Sequence, residues 1–290
     1  MPQALPIIGN IALNLAIGVG ASVLSGVVSG ALSQKVTTSK GLSFDLAVGA
    51  TTKVSAIFGR GRAKGLLVYA NEYGNDNEYL QLAIVCGRGE HDAMETFLVD
   101  GTARTLSGSN ADARGFVVDD FTVSGTPHMW VKYYTGAAGQ AADPELVANA
   151  NPVTRWGSAH KLTGAAYMIV TLRYSADLFG TSLPLFGSVW RGLKLFDRRD
   201  PAQTWGDPST YQWTENPAVI ADNWRLGIWV NGVRLLGMGY PSFANDAAGF
   251  IAAANVCDET LTYPETGRTL SRYTFGREVS DDEERLAVLE

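Results

Sequence analysis

Carboxylate pairs are the residues of this chain whose types and spacing could do chemistry most directly. Two carboxylates on either side of a glycosidic bond can hydrolyse it by acid and base catalysis, as an enzyme that cuts cell walls does. Of the three pairs named next, helix capping accounts for the last, and predicted turns surround the first two. We therefore interpret all three pairs as solvated surface and assign no catalytic residue. The pairs are Glu90 and Asp92, Asp119 and Asp120, and Glu283 and Glu284.

Other reactive arrangements are incomplete in this sequence. The segment from Gly59 to Gly65 has the glycines and cations of a phosphate loop but not the required order, so it predicts a basic surface turn. The chain has no Gly-x-Ser-x-Gly elbow, and its 3 histidines do not have the spacing of zinc ligands. Cys86 and Cys257 each end an apolar run and are predicted to be buried free thiols. We therefore predict no enzyme, no cofactor and no metal.

Composition favours a packed protein without affinity for phosphate backbones. Of the 290 residues, 46% are hydrophobic and 18% are charged, which argues against a disordered chain. The net charge is -6, so no overall basic field would attract nucleic acid. Sequence-specific nucleic-acid binding is disfavoured.

The first 34 residues carry no charged side chain and predict one apolar helix. Small or polar residues recur at every fourth position and form a ridge that lets another helix approach closely. Such a ridge fits either a tight bundle around a symmetry axis or a membrane anchor, and both interpretations stay open. The ridge consists of Asn10, Asn14, Gly18, Ser22, Gly26 and Gly30.

Residues 35–185 predict a β-rich domain that contains an inserted region at about 106–160. Short apolar runs are separated by clusters of Gly, Asn and Asp, which is typical of strands in a sandwich or barrel. The inserted region predicts one short helical turn between Tyr134 and Asn151, and a strong strand follows at Ala166–Tyr174. The strand candidates before the insertion are Lys53–Phe58, Gly65–Tyr69, Tyr79–Val85 and Thr96–Val99.

Residues 186–290 predict a second, α+β domain. Asn216-Pro217 favours a helix start, since Asn caps and Pro at the first position loses no useful donor, and this helix is expected to end near Gly227. A second helix is predicted at Ala244–Asp258, and a third begins at Ser280 and is interrupted at Glu290, so we expect the chain to continue. The predicted fold class is α+β, predominantly β, with short helices and an N-terminal apolar helix.

Several motifs, taken in order and spacing, resemble the tail-tip attachment, or baseplate hub, proteins of long-tailed bacteriophages. In that family a strand with Arg-Gly precedes an Asn-Pro-Ala helix, an Ala-rich helix ends in Cys-Asp, and a hairpin with Arg-Tyr follows. The motifs here are Ala56–Arg62, Cys86–Glu90, Val189–Asp197, Glu215–Ala218, Ala252–Glu259 and Arg272-Tyr273 before Gly276.

The resemblance implies a non-enzymatic structural protein at the virion tail tip, built from tube-like hub β-barrel domains. It implies a homotrimer that closes the distal end of the tail tube and opens for DNA passage. Distal tail protein and tape-measure protein would lie above it and receptor-binding or fibre proteins below, with DNA only in transit. The N-terminal helices would plug the lumen or make transient contact with the host membrane. A tail-associated cell-wall hydrolase and a membrane-anchored binding protein remain the alternatives.

The resemblance also gives structural roles to residues of the C-terminal third. Asn216 is expected to cap its helix and Pro217 to fix the helix start. Trp224, with Trp190 and Trp213, is expected to fill the core or an inter-subunit contact. Arg191 would form either an interface ion pair or a plain surface contact.

Overall fold

The computed structural model describes residues 54–63, 65–179, 183–230, 232–240 and 246–280. Within these residues the chain divides into two compact units, which we call unit 1 and unit 2. Unit 1 contains Ala63–Cys86 and Met94–Val189. Unit 2 contains residues 54–62, Gly87–Ala93 and residues 190–280. The domain ranges 1–34, 35–185 and 186–290 stay predictions.

The described residues are mostly β, as the sequence predicts, with short helices. The helices are α1 (Pro144–Asn149), α2 (Ala176–Phe179), α3 (Pro217–Leu226) and α4 (Ala247–Asp258). The strands are β1 (Ala56–Ala63), β2 (Leu66–Tyr73), β3 (Tyr79–Arg88), β4 (His91–Val99), β5 (Thr102–Ala103), β6 (Leu106–Ser107), β7 (Phe116–Val118), β8 (Thr122–Val123), β9 (Thr126–Pro127), β10 (Met129–Tyr134), β11 (Ala165–Arg173), β12 (Phe186–Leu195), β13 (Gln212–Trp213), β14 (Ile228–Val230), β15 (Val233–Leu236), β16 (Thr260–Thr262), β17 (Thr269–Ser271) and β18 (Gly276–Val279).

Unit 1 is built on a six-stranded sheet with the order β2-β3-β11-β10-β7-β6. The central pair, β10 and β11, is antiparallel and places Tyr134 opposite Tyr167, whose rings stack with centroids 4.8 Å apart. The segment that contains α1 covers this part of the sheet. Its Asp143 is fully buried, caps α1 by accepting from Leu146 N, and accepts from the Tyr134 hydroxyl at 2.7 Å.

Further contacts fasten the covering segment to the sheet of unit 1. Lys132 Nζ lies 3.2 Å from the Asp143 carboxylate, forming a buried ion pair. Asn71, on β2, donates to the Asn149 carbonyl at 2.7 Å and accepts from Asn151 N at 3.0 Å. Because the covering segment satisfies these polar groups, the sheet face is closed by the unit's own chain.

Unit 2 has its own apolar core between a sheet and two helices. The second six-stranded sheet has the order β18-β1-β12-β4-β5, with β13 also paired to β12. Against the unit 2 part of it pack α3 and α4. The buried core residues are Ala56, Phe58, Leu193, Leu195, Val219, Ile220, Trp224, Leu236, Ala254 and Val279.

A buried histidine lies in unit 2 where β4 begins. His91 is completely buried; its Nε2 accepts from Ile57 N at 3.4 Å, and its Nδ1 lies 3.1 Å from the Gly89 carbonyl. Burial lowers the pKa of His91 to about 4 because no charge compensates the loss of hydration, although the Gly89 carbonyl opposes this shift. The ring is therefore neutral at physiological pH, with Nδ1–H donating to Gly89 O.

Two predictions about these sheets are corrected. The predicted β-barrels do not form among the described residues, since the strands at the two ends of each six-stranded sheet are not paired with each other, and a barrel requires that closure. The predicted basic surface turn at Gly59–Gly65 is also wrong in its first part, because residues through Ala63 continue β1. Gly59 has φ +63°, and a Cβ there would lie 1.8 Å from the Phe275 carbonyl oxygen of the neighbouring segment. Glycine thus serves close strand approach here rather than a turn.

Candidate interaction surface

The exposed apolar side chains of the described residues are distributed unevenly. Unit 1 exposes two large apolar side chains, Val68 and Val153, whereas unit 2 exposes eight. Clustered exposed apolar groups mark interaction sites more often than scattered ones do. The eight of unit 2, which we call the apolar set, are Trp229, Val233, Tyr240, Val256, Leu261, Tyr263, Leu270 and Tyr273.

The hairpin of β16 and β17 carries part of the apolar set on one face. Leu261 lies opposite Leu270, and Tyr263, two residues on, belongs to the same face. The other face carries hydroxyls, with the Thr262 and Thr269 oxygens 3.1 Å apart. Both strands are exposed throughout, although a two-stranded hairpin gains little stability without a covered apolar face. This hairpin therefore has the pattern of a surface that another molecule covers.

The base of this hairpin is fixed to the end of α4. Arg272 N donates to the Glu259 carbonyl at 2.7 Å, and Tyr273 N donates to the Cys257 carbonyl at 3.2 Å. The side chains of Arg272 and Glu259 also form an ion pair. The Cys257 side chain is buried and is a free thiol, as is Cys86 in unit 1, which confirms that prediction. The hairpin thus projects from an anchored base.

A second hairpin, β14 and β15, follows α3 and carries Trp229 and Val233. The Trp229 indole donates to the Leu226 carbonyl at 3.1 Å, which orients the ring while leaving 44% of the residue exposed. Opposite Trp229, Arg234 donates to the Met238 carbonyl at 2.6 Å and closes the chain after β15. Each of α3 and α4 is therefore followed by a hairpin that exposes apolar residues.

Asn216 and Pro217 lie at the start of α3, as the sequence predicts. The Asn216 Oδ1 accepts from Ala218 N at 3.0 Å and from Val219 N at 3.3 Å, and Pro217 is the first helical residue. In addition, Asn216 Nδ2 donates to the Ala254 carbonyl at 2.9 Å. One buried side chain thus caps α3 and ties it to α4.

Trp224 is part of the internal core and not of the surface. Only 2% of it is exposed, and its ring meets Phe58 edge-on with centroids 5.8 Å apart. Its carbonyl accepts from Met238 N at 2.8 Å, so the same residue holds the segment after β15. The Trp190 side chain is likewise fully buried, and Trp213 is half-buried.

Ion pairs hold the turn after β12 to both helices of unit 2. Arg198 pairs with the buried Asp222 of α3, and Arg199 lies 2.7 Å from Asp197 and 2.8 Å from Asp258 of α4. Burial raises the pKa of Asp197, but the hydrogen bonds and charge of Arg199 outweigh that effect and hold the pKa below its usual range. The Asp197 carboxylate is thus charged at neutral pH, and these ion pairs together hold the turn between the two helices.

Arg191 makes its contacts within unit 2. Its guanidinium forms an ion pair with Asp92 and lies over the Trp213 ring, 5.4 Å from the centroid. Arg191 on β12 and Asp92 on β4 lie on neighbouring strands of one sheet, so this ion pair is formed within the chain.

The candidate positions of the N-terminus lie outside the described residues. They are Asn10, Asn14, Gly18, Ser22, Gly26 and Gly30. Of the helix that is predicted to begin at Ser280, Ser280 is described and the residues that follow it lie outside the described ranges. No helix in the described ranges is both long and apolar enough to cross a membrane. Across those same ranges, no three His, Cys, Asp or Glu side chains converge as metal ligands do.

Sequence reasoning missed the apolar set. A usable signal existed, because Leu261 and Tyr263 alternate with threonines and Leu270 lies between Thr269 and Ser271. Alternation of this kind predicts a strand with one buried face. It does not tell whether that face is buried within the unit or by another molecule.

Comparison with known proteins gives no family for this chain. No family model matches it, and no curated protein matches it. Among solved structures it is similar to a chain of the "Virion of native gene transfer agent (GTA) particle", with 18% sequence identity and a TM-score of 0.38. The alignment covers 88% of this chain and 62% of that chain. A TM-score at this level does not establish a common fold.

Proposed function

We propose that this chain is a non-enzymatic structural protein of a bacteriophage tail tip. In this role it is a hub that forms a homotrimer, closes the distal end of the tail tube and opens for DNA ejection. Its partners are distal tail protein and tape-measure protein above and receptor-binding or fibre proteins below, so that it takes part in host attachment. DNA contacts it only in transit.

The apolar set is the observation that carries an assembly role. Protein interfaces are enriched in aromatic side chains and are depleted of charge at their centres. Trp229, Tyr240, Tyr263 and Tyr273 supply the aromatic groups, and their exposure in an isolated chain would promote association. An assembly protein has a use for such a surface.

The motifs that resemble tail-tip proteins lie on the scaffold of this surface. Asn216-Pro217 starts α3, the Ala-rich motif forms α4, and Arg272-Tyr273 follows the β16–β17 hairpin. Residues that carry the resemblance therefore position the exposed hairpins. This placement supports the specific choice of a tail-tip role over a general assembly role.

The occupant we assign to the β16–β17 face is a second copy of this chain. Charges of both signs flank the apolar residues of the hairpin in sequence. The acidic residues are Glu259 and Glu265, and the basic residues are Arg268 and Arg272. A mixed border of this kind does not repel an identical copy, as a border of one sign would. Closed rings of identical chains use such contacts.

The test is the mass of the full chain in solution. We expect a trimer by light scattering coupled to size exclusion, and we expect the double variant Leu261→Ser/Leu270→Ser to shift it towards monomer. The matched control is Val68→Ser/Val153→Ser, which changes the exposed apolar residues of unit 1 and should leave the trimer intact. A monomeric wild-type chain, or a trimer unaffected by the hairpin variant, would contradict the assigned interface. Clearing of peptidoglycan by the purified chain would contradict the non-enzymatic role.

A further inference from the structure

A threefold ring of identical chains needs two different contact surfaces on each copy. In such a ring the surface that one copy presents meets another surface of the next copy, because only twofold contacts join a surface to itself. Under the proposed function, the apolar face of the β16–β17 hairpin, with Leu261 and Leu270, is one of these two surfaces. The need for a second surface therefore rests on that proposed function.

Helix α4 presents an exposed face without charge. No residue from Ala247 to Cys257 is charged. Ala248, Ala252 and Val256 are nevertheless exposed, and their spacing of four residues places them on one side of the helix. A helix that faces water normally carries polar and charged residues on its outer side. The outer side of α4 instead has the composition of a surface that packs against protein.

The inner side of α4 is held by the rest of unit 2. Ala254 and Cys257 are buried, and the Ala254 carbonyl accepts from Asn216 Nδ2 at 2.9 Å. At the end of the helix the Asp258 carboxylate pairs with Arg199 at 2.8 Å. Because α4 is fixed from this side, its outer face is placed in advance, and a partner would bind it with little loss of conformational entropy.

A shallow recess lies beside this face, between α3 and α4. Its apolar walls are formed by Ala218 and Val219 of α3 and by Phe250, Ile251 and Ala254 of α4. Phe250 and Ile251 are half-buried, so part of each side chain is open to a partner. Large apolar side chains that fill such a recess are typical of the centre of a protein interface.

The charged groups that line the recess are paired with one another. Arg198 pairs with Asp222, and Arg199 lies 2.7 Å from Asp197. These two pairs bring no net charge to the recess. They would therefore not repel the charges of both signs that flank the apolar residues of the hairpin.

The exposed ring of Tyr240 continues this surface. The Arg225 guanidinium lies over the rings of Phe250 and Tyr240, with its Cζ 5.3 Å and 5.8 Å from their centroids. Arg225 therefore connects the start of α4 to the segment that follows β15. We call the surface formed by Tyr240, the recess and the outer face of α4 the receiving surface.

We propose that the receiving surface of one copy binds the β16–β17 hairpin of the neighbouring copy. The hairpin supplies the large side chains Leu261, Tyr263 and Leu270 on one face. The receiving surface supplies an apolar recess beside small side chains that allow close approach. The contact is head-to-tail, so each copy gives one surface and receives the other, as a closed ring requires.

The first experiment expresses two differently tagged full chains together, one with Ala252→Cys and the other with Leu270→Cys, and treats them with a short bismaleimide. We expect a covalent dimer that contains one chain of each tag. Either variant alone should give no dimer, and the native thiols Cys86 and Cys257 should not react because they are buried. The control pair, Leu270→Cys with Val68→Cys, should give no mixed dimer.

The outcomes separate this proposal from the proposed function. A dimer formed by Leu270→Cys chains alone would overturn the receiving surface and leave a second copy as the occupant of the hairpin face. A trimeric sample without the mixed dimer would overturn it too, because another surface would then meet the hairpin. A monomeric wild-type chain would overturn the proposed assembly and the receiving surface together.

The second experiment places a charge on the receiving surface. Ala252→Glu should weaken the trimer by about tenfold or more in sedimentation equilibrium, because the carboxylate would be buried at the contact. Glu is a good helix former and position 252 is exposed, so the chain should fold. The control, Ala148→Glu, makes the same change at an exposed alanine of α1 and should leave the trimer intact.

The hairpin variant gives the reference for this second experiment. If Leu261→Ser/Leu270→Ser dissociates the trimer while Ala252→Glu leaves it as stable as the wild type, the receiving surface is overturned and the hairpin contact stands. Dissociation by both variants, with the Ala148→Glu trimer intact, is the expected result.

Discussion

Unit 1 and unit 2 differ in how far the apolar faces of their strands are covered by their own chain. Among the described residues, unit 1 covers its sheet with the segment around α1 and exposes two large apolar side chains. Unit 2 has an apolar core of its own, but its described residues expose eight such side chains, most of them on or beside two hairpins. The difference lies at the surface and not in the quality of the cores.

The two units differ in whether their own chain covers their apolar strand faces. The covering segment of unit 1 satisfies polar groups of the sheet through Asp143, Asn71 and Lys132. The β16–β17 hairpin has no segment over its Leu261 and Leu270 face in the described residues. We infer that unit 1 is closed by its own chain and that unit 2 is completed by assembly.

Substitution of two tryptophans of unit 2, five residues apart, tests the contrast between its core and its surface. The first of the two substitutions has the largest expected effect on stability. Trp224→Ala removes a buried ring packed on Phe58 and should lower the free energy of unfolding by about 3–5 kcal/mol. Trp229→Ala, at an exposed position, should change it by less than about 1 kcal/mol and should weaken association instead. Chemical denaturation and sedimentation measure the two effects. Equal losses of stability would remove the distinction between core and surface.

The cover of unit 1 is tested by Asp143→Ala. This change leaves Lys132 as a buried charge without its partner and also removes the cap of α1, so we expect a loss of about 3 kcal/mol in unfolding free energy. The control is Asp120→Ala, whose exposed ion pair with Arg104 should contribute less than about 1 kcal/mol. Similar losses in both variants, measured by denaturation, would argue against a specific role for the buried carboxylate.

His91 makes the stability of unit 2 depend on pH. Its folded pKa of about 4 lies below the ordinary value of 6.5, so the unfolded chain takes up a proton first as the pH falls. Stability is lost between pH 6.5 and 4, by at most about 3 kcal/mol for this one group. Denaturation at several pH values should show a shallower decline for His91→Gln than for the wild type. Identical pH dependence of the two chains would contradict a buried neutral histidine.

The smallest of these stability effects separates the two roles of Asn216. Asn216→Ala removes both the cap and the bond to Ala254, and should cost about 2 kcal/mol, the upper end for a cap. Asn216→Ser keeps an oxygen for the cap and loses the bond between the helices, so its cost should be intermediate. Thermal melts compare the three chains, and an alanine variant as stable as the wild type would remove the assignment.

Local signals in the sequence predict several of the elements. Asn216-Pro217 predicts the start of α3 to the residue, and the apolar spacing of α4 predicts the side that packs, with Ala254 buried. The predicted strands reappear as β1, β2, β3, β4 and β11, with shifted ends. These features depend on neighbours within one or two helical turns or on period-two alternation, both of which a sequence carries directly.

Features that depend on distant pairing could not be predicted in the same way. Because glycine is common in turns, the sequence predicts a turn at Gly59, whereas this residue permits the close approach of Phe275, more than 200 residues away in sequence. Arg114, in the loop before β7, lies over the Tyr79 ring of β3 and the Trp130 ring of β10, and no local pattern indicates that meeting. Closure of a sheet is likewise a property of its two end strands, so alternation predicts strands but not a barrel.

We propose that other copies of the chain cover the hairpins of unit 2 at a tail tip. Cryo-electron microscopy of the tail end of the particle encoded by the same genome tests it most directly. We expect a threefold ring of this chain in which Leu261 and Leu270 are buried between neighbouring copies. A particle without the chain, or a ring with these hairpins in open solvent, would contradict it.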